Sequence, residues 1–177
     1  LVKLCHTLGI PMEVVPGPSA AIAALAISGQ HTARFTFEGF LSVSKKSRRE
    51  HLEDIVNERR TMVFYEAPHK LCNTLADLYK YLGDREIAIV REITKIHEEV
   101  IKTTLSQAVA MYETEKPKGE YVLVIAGKKE EKEDITLDNA VKMAQSLVND
   151  GLSINAAAKE IAASTPFKKS DIYKALL

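Results

Sequence analysis

Tryptophan is absent from this chain of 177 residues, aromatic residues make up only 6%, and two cysteines are all it has. Cys5 and Cys72 stand alone, without the paired spacing of a disulfide framework, a zinc site or a redox motif. Lone thiols of this kind suit a reducing, cytoplasmic setting. His6, His31, His51, His69 and His97 show no metal-ligand spacing either, so no metal site is expected. Charge of one sign is lacking as well, since 24 Lys and Arg balance 24 Asp and Glu. That balance removes any global case for nucleic-acid binding and leaves only local basic surface. The apolar run Ala20 to Ile27 is too short and too small to span a bilayer, and no secretory pattern follows Leu1. A Walker loop, a glycine-rich dinucleotide fingerprint and a nucleophile elbow are missing, which withdraws support from a nucleotide-driven enzyme or a hydrolase.

What is present describes a folded domain. Hydrophobic residues reach 46% and charged residues 27%, and the length allows one good core, or one core plus a small appendage. Because the chain opens on Leu1 rather than Met, its start is expected to lie within a longer protein. Leu1 to Leu8 reads as a helix end closed by Gly9, and Met12 to Val15 as a short strand. Pro16-Gly17-Pro18-Ser19 then turns into an alanine-rich helix that Gly29 terminates. Pro18 suits a first helical turn, and Ser19 can offer its hydroxyl to free amides there or to a ligand. A tightly packed strand-to-helix connection explains the stretch as well as a ligand site does.

Further along, strands and helices alternate. Phe35 to Leu41 begins as a strand and ends in a bend at Gly39, and Ser44 is placed to cap a polar helix over Lys45 to Asn57. Thr61 to Tyr65 is an apolar strand, and Leu71, Leu75, Leu78 and Leu82 form one helical stripe stopped by Gly83. Ile87 to Val90 and Glu99 to Thr104 read as strands, with Ser106 capping a helix to about Glu115. Tyr121 to Ile125 is apolar throughout, as a central strand is. The fold class is therefore α/β with a mixed sheet. Lys128 to Asp134 reads as a charged linker to three short helices: Leu137 to Asn149, Ser153 to Ala163 and Phe167 to Leu177. The last two resemble a helix-turn-helix, and the tail is too small for a robust domain alone, so it is expected to dock on the sheet domain or a partner.

Three strand ends share one character: Pro16-Gly17-Pro18-Ser19, Glu66-Ala67-Pro68-His69-Lys70 and Arg91-Glu92-Ile93-Thr94-Lys95. Ligands of α/β sheets gather at the carboxyl ends of strands, where loops expose backbone amides and carbonyls. Glu66 and Glu92 can receive hydroxyls or a cation, while Lys70, Arg91 and Lys95 can receive phosphate. Helix-start charge and a surface ion-pair network are the plainer explanations. His69, at a helix start, can act in proton transfer or serve as a surface residue. Lys45, Lys46, Arg48 and Arg49 sit in the first turns of their helix, where cations oppose its dipole. Solvated charge explains that placement, and so does a basic patch for phosphate contact; Lys168, Lys169 and Lys174 in the tail carry the same two readings, phosphate contact or a small helical cap with solvated lysines.

In this order the motifs resemble the tetrapyrrole methylase superfamily of S-adenosylmethionine-dependent enzymes, and more closely its branch acting on bacterial ribosomal RNA. The carrying residues are Val15 to Ala21, Phe37 to Leu41, Arg60 to Lys70, Arg91 to Lys95, His97 to Glu99 and Gly119 to Tyr121. The run Phe64-Tyr65-Glu66-Ala67-Pro68-His69 is the specific one; Lys70 stands where the family pattern has arginine, which keeps charge but loses bidentate recognition. The resemblance implies a two-domain fold: residues 1–30 ending an amino-terminal cofactor domain and its hinge helix, 31–128 forming the carboxy-terminal α/β domain, and 135–177 a helical tail. It implies S-adenosylmethionine bound by Pro16, Ser19, Ala20, Glu66, Ala67, Ile93 and Thr94, without a metal. It also implies methyl transfer to the ribose 2′-oxygen of a cytidine in small-subunit RNA, with Glu92, Lys95 and Glu98 as base candidates. Expected partners are that RNA or the assembled small subunit, on the basic residues above with Lys70 and Arg91, and a second copy in a homodimer. The family's first domain, with its own cofactor loop, would precede Leu1, so the chain alone is expected to bind cofactor weakly and not turn over. Tetrapyrrole methylation and a non-catalytic RNA-binding or assembly module are the competing readings.

Overall fold

The computed structural model describes residues 1–129 and 136–177, in two compact units. The linker expected at 128–134 therefore falls largely outside the described residues. The first unit runs α1 (Val2–Thr7), α2 (Ala20–Ser28), β1 (Phe35–Gly39), α3 (Lys45–Asp54) and β2 (Thr61–Glu66). A single 3-10 turn, Pro68–Lys70, leads into α4 (Leu71–Leu82), β3 (Glu86–Arg91), β4 (Glu99–Thr104), α5 (Leu105–Thr114) and β5 (Tyr121–Ile125). The strands form one mixed sheet in the order β1-β2-β5-β3-β4, with β1 and β2 parallel and the other pairs antiparallel.

Alternation along each strand divides the core into two layers. Met62, Phe64, Ile87, Ile89, Leu123 and Ile125 face one side, where the leucine stripe of α4 and Leu105, Ala108 and Tyr112 of α5 cover them. Val63, Ala88, Val90, Val122 and Val124 face the other, against Ala21, Ala24 and Leu25 of α2. The residues on this second face are small, which is why an alanine-rich helix fits: its backbone lies close to the sheet with little side-chain bulk between. Each large aliphatic side chain withdrawn from water contributes about 1.5–3 kcal/mol, so the α4 face is the heavier contributor.

β5 is buried at every position because it lies between β2 and β3. The pairing sets Glu66 opposite Tyr121 and Arg91 opposite that same Tyr121, so both strand ends meet at the start of β5. On the outer edge, the β1–β2 register slips between Phe37 and Gly39, and Gly39 takes φ of 67°. A residue with a Cβ would be strained there, and the bend turns the chain away from the sheet.

Several local expectations are corrected. Residues 12–15 form no strand: among the described residues no neighbour pairs with them, and Val14 and Val15 are exposed. Helix α2 begins at Ala20, not Pro18, and Ser19 makes no side-chain cap. The Ala21 amide donates instead to Tyr65 Oη at 3.1 Å. Helix α3 stops at Asp54, short of Asn57. Thr104 rather than Ser106 caps α5, since the Ser106 hydroxyl is taken by Asp84 at 2.9 Å.

The second unit contains α6 (Leu137–Asn149), α7 (Ile154–Ser164) and α8 (Lys169–Ala175). Its core is Ala140, Ala144, Ala157, Ala158, Ile161 and Ile172, so small side chains let the helices approach closely. Thr136 and Ser153 cap α6 and α7 through their hydroxyls.

Candidate cofactor and substrate site

The first unit holds a cavity of about 630 Å³ at the carboxyl ends of β2 and β3 and the start of β5, on the α2 side of the sheet. Val90, Val122, Ile93 and Ala20 give it an apolar floor. Tyr65 and Phe40 form an aromatic side, and Glu66, Ala67, Pro68, His69, Glu120 and Tyr121 close the rim. Its size lies within the range of small-molecule sites, and mostly apolar walls with a few convergent polar groups are their usual chemistry.

Each wall is held in place by contacts outside the cavity. The Tyr65 ring lies 5.0 Å from Phe37 edge-on and 5.7 Å from Phe40, and its hydroxyl accepts from the α2 amide. Glu66 is 3% exposed. Its Oε1 accepts from the Ala67 amide at 2.8 Å, and its Oε2 from Thr74 Oγ1 at 2.5 Å. Both donors are neutral. A buried carboxylate with no cation directly on it favours a positively charged ligand beside it.

The loop after β3 is the second well-built feature. Glu92 and Thr94 both take positive φ, 50° and 63°, a costly conformation for residues with a Cβ. The loop is tied by Lys95 Nζ, which donates to Glu92 Oε1 and to Glu120 Oε2 at 2.9 Å each. Glu92 Oε1 also accepts from the Glu120 amide at 2.9 Å, and Thr94 N donates to Glu98. Lys95, with help from the Glu120 amide, holds the Glu92 carboxyl below its usual range, and Glu92 raises the Lys95 ammonium. Gly119, at φ of 87°, lets the Glu92 side chain lie against its backbone; a Cβ there would stand 2.5 Å from Glu92 Cγ.

Four of the seven expected cofactor residues, Ala20, Glu66, Ala67 and Ile93, border the cavity; Pro16, Ser19 and Thr94 do not. None of the expected base candidates Glu92, Lys95 and Glu98 borders it: Lys95 pairs with Glu92 and Glu120, and the Glu98 carboxylate accepts from the Thr94 amide. Among the expected basic contacts, Lys46 and Arg49 make loose, exposed pairs with Glu50 and Glu53 at 3.8 and 3.6 Å. Arg48 is different: its Nε donates to Asp77 at 2.6 Å and its Nη2 to Thr74 at 3.0 Å, with the side chain 16% exposed. Arg91 pairs with Glu99 at 3.3 Å, and its buried Nε has no partner among the described residues. Phe40, Val90, Glu120, Tyr121 and Val122 are lining residues that sequence reasoning did not select. For Glu120 and Tyr121 the only signal was their place in the Gly119 to Tyr121 motif.

A sheet whose strand ends converge on an apolar, anion-edged cavity defines an α/β domain with a small-molecule site at its strand ends. Residues 1–109 match the family model for tetrapyrrole (corrin/porphyrin) methylases, and the chain belongs to that family. It is 39% identical over 98% of its length to ribosomal RNA small subunit methyltransferase I of Synechocystis sp., covering 63% of that protein. To the protein of the same name from Thermotoga maritima it is 44% identical over 72% of its length, covering 57% of that protein. The chain thus spans about three fifths of the length of these curated relatives. In fold it is similar to the methyltransferase CobJ, with TM-score 0.54 at 17% identity, over 71% of this chain and 56% of that one. It is similar also to the cobalt precorrin-4 methyltransferase CbiF, with TM-score 0.50 at 18% identity and the same shares.

Proposed function

We propose that the protein carrying this chain methylates the ribose 2′-oxygen of a cytidine in small-subunit ribosomal RNA, using S-adenosylmethionine. The observation that carries the reading is the cavity at the strand ends, with the buried Glu66 carboxylate beside an apolar floor. That chemistry suits a ligand with a flat apolar ring system and a positive charge. The RNA substrate is supported by the likeness to proteins named ribosomal RNA small subunit methyltransferase I.

Val90, Val122, Ile93 and Ala20 would hold the apolar part of the cofactor, Tyr65 would flank it, and Glu66 would face its cationic part. Pro16, Ser19 and Thr94 support the loops that carry these walls. Bound there, the cofactor supplies a methyl group already activated by its positive sulfur. The chain's own task is to orient the ribose hydroxyl in line and remove its proton. His69 borders the cavity and makes no hydrogen bond or ion pair among the described residues, so its imidazole is free to accept that proton. Glu92, Lys95 and Glu98 act in this reading as positioning residues that hold Ile93 against the cavity.

Lys45, Lys46, Arg49, Lys70, Lys168, Lys169 and Lys174 take RNA phosphates, Arg91 contributes beside the cavity, and Arg48 acts from its Asp77 pair. Exposed ion pairs such as those of Lys46 and Arg49 are worth about 0–1 kcal/mol, so they exchange readily for phosphate. The unpaired thiols Cys5 and Cys72 agree with a cytoplasmic site of action. A homodimer completes the reading, tested by light scattering of the purified protein.

The deciding experiment is methyl transfer by the full-length protein to assembled small subunits, naked RNA and a porphyrin precursor. Label on a cytidine ribose supports the proposal; label on the porphyrin alone overturns it. Titration of S-adenosylmethionine into the 177-residue chain tests the cofactor assignment directly: saturable binding supports it, and no binding overturns it.

A further inference from the structure

A second cavity, of about 380 Å³, lies beside Ser42, Val43, Arg48, Lys70, Asn73 and Asp77. It and the cofactor cavity share their supports. The 3-10 turn gives Pro68 and His69 to the first and Lys70 to the second, and the loop after β1 gives Phe40 to the first and Ser42 and Val43 to the second. The geometry points to a pocket for one phosphodiester of the polynucleotide substrate, next to the ribose that is methylated; this rests on the RNA reading above.

Three features select that ligand. First, the charges are Arg48 and Lys70 against Asp77, one net positive charge, which matches a singly charged diester better than a doubly charged terminal phosphate. Second, donors are free. The side chains of Lys70 and Asn73 make no hydrogen bond among the described residues, and Arg48 spends Nε and Nη2 but not Nη1. Asp77 holds the Arg48 guanidinium in place at 2.6 Å, so the group is presented without the entropy cost of a free side chain. Third, only a few bonds separate a ribose 2′-oxygen from the neighbouring phosphorus, and His69 at the first cavity and Lys70 at the second are adjacent residues of one 3-10 turn. A ribose in the first cavity therefore puts its phosphate at the second.

The test follows the side-chain signals of Arg48 Nε–H and Asn73 by nitrogen–proton NMR on the 177-residue chain, with dimethyl phosphate as the probe. Saturable shifts of both signals are expected, with affinity lowered about tenfold in Lys70→Ala by loss of one charge-assisted hydrogen bond. Absent shifts, or shifts unchanged in Lys70→Ala and Asn73→Ala, overturn the pocket. Equal response to acetate overturns the phosphodiester assignment in favour of an acidic peptide, and response to inorganic phosphate alone overturns it in favour of a terminal phosphate. Methyl transfer by the full-length protein separates the two proposals. RNA methylated with a silent pocket defeats only the pocket, whereas a diester bound without RNA methylation defeats only the RNA reading.

Discussion

Thr74 Oγ1 donates to the buried Glu66 carboxylate at 2.5 Å while accepting from Arg48 Nη2 at 3.0 Å. One hydroxyl on α4 thus joins a surface ion pair to the wall of the cavity at the strand ends, in the chain Asp77–Arg48–Thr74–Glu66. Thr74 is 1% exposed.

Thr74→Val keeps the shape and removes the hydroxyl. It is expected to cost about 1–3 kcal/mol in urea denaturation, because one oxygen of a buried carboxylate loses its donor. Thr74→Ser restores the hydroxyl and should recover most of that loss. Equal destabilisation by both would assign the effect to packing rather than to the hydrogen bond.

Gly119→Ala strains a backbone at φ of 87° and drives a Cβ into the Glu92 side chain. The β3 loop is then expected to open, taking Ile93 from the cavity. The expected readout is weaker S-adenosylmethionine affinity, with thermal stability lowered by about 1–3 kcal/mol. Lys95→Met should weaken affinity in the same direction by releasing Glu92 and Glu120, and unchanged affinity in both variants would remove the loop from the site.

Glu58 gives a pH dependence with a defined sign. Its carboxylate accepts from Arg60 Nη2 at 2.6 Å and Nε at 2.9 Å, and these bonds hold its pKa down at about 2 from an ordinary 4.5. A lowered folded-state pKa means that the unfolded chain binds the proton first. The contribution is therefore complete above pH 4.5 and is lost as pH falls toward 2. Glu58→Gln should flatten the acid limb of the stability profile and leave the neutral region less changed between pH values.

Charge reversal separates the basic residues of α3. Lys45→Glu, Lys46→Glu and Arg49→Glu should leave folding stability within about 0.5 kcal/mol each, since they sit on the exposed face. Each should reduce the salt slope of RNA binding by about 0.7 for every phosphate of a single strand that is no longer neutralised. Arg48→Glu differs, because it meets Asp77 and Thr74, and a clear loss of stability is expected in thermal melts.

The amino-acid order alone was enough for most of the local structure. Leu71, Leu75, Leu78 and Leu82 mark α4 and Gly83 its end, because a helix that buries one stripe must repeat its apolar residues with that period. The family and the run from Phe64 to Lys70 were equally legible, and Ala20, Glu66, Ala67 and Ile93, expected to bind cofactor, border the cavity. Reading the strand at 12–15 failed because an apolar run specifies a strand only when a neighbouring edge completes its hydrogen bonds. The helix-cap reading of Ser19 failed because a distant hydroxyl, that of Tyr65, took the α2 amide.

Tertiary structure alone decided what these segments meet. The late strand β5 enters between β2 and β3, and that pairing sets Tyr121 between Glu66 and Arg91 and brings Glu120 to Lys95. No local periodicity encodes such a pairing, since it depends on which arrangement buries both faces of every strand at once. The same holds for Arg48, whose sequence neighbours mark it as one more surface cation. Folding places α4 beside it, and Asp77 and Thr74 turn it into a fixed group on the wall of the second cavity.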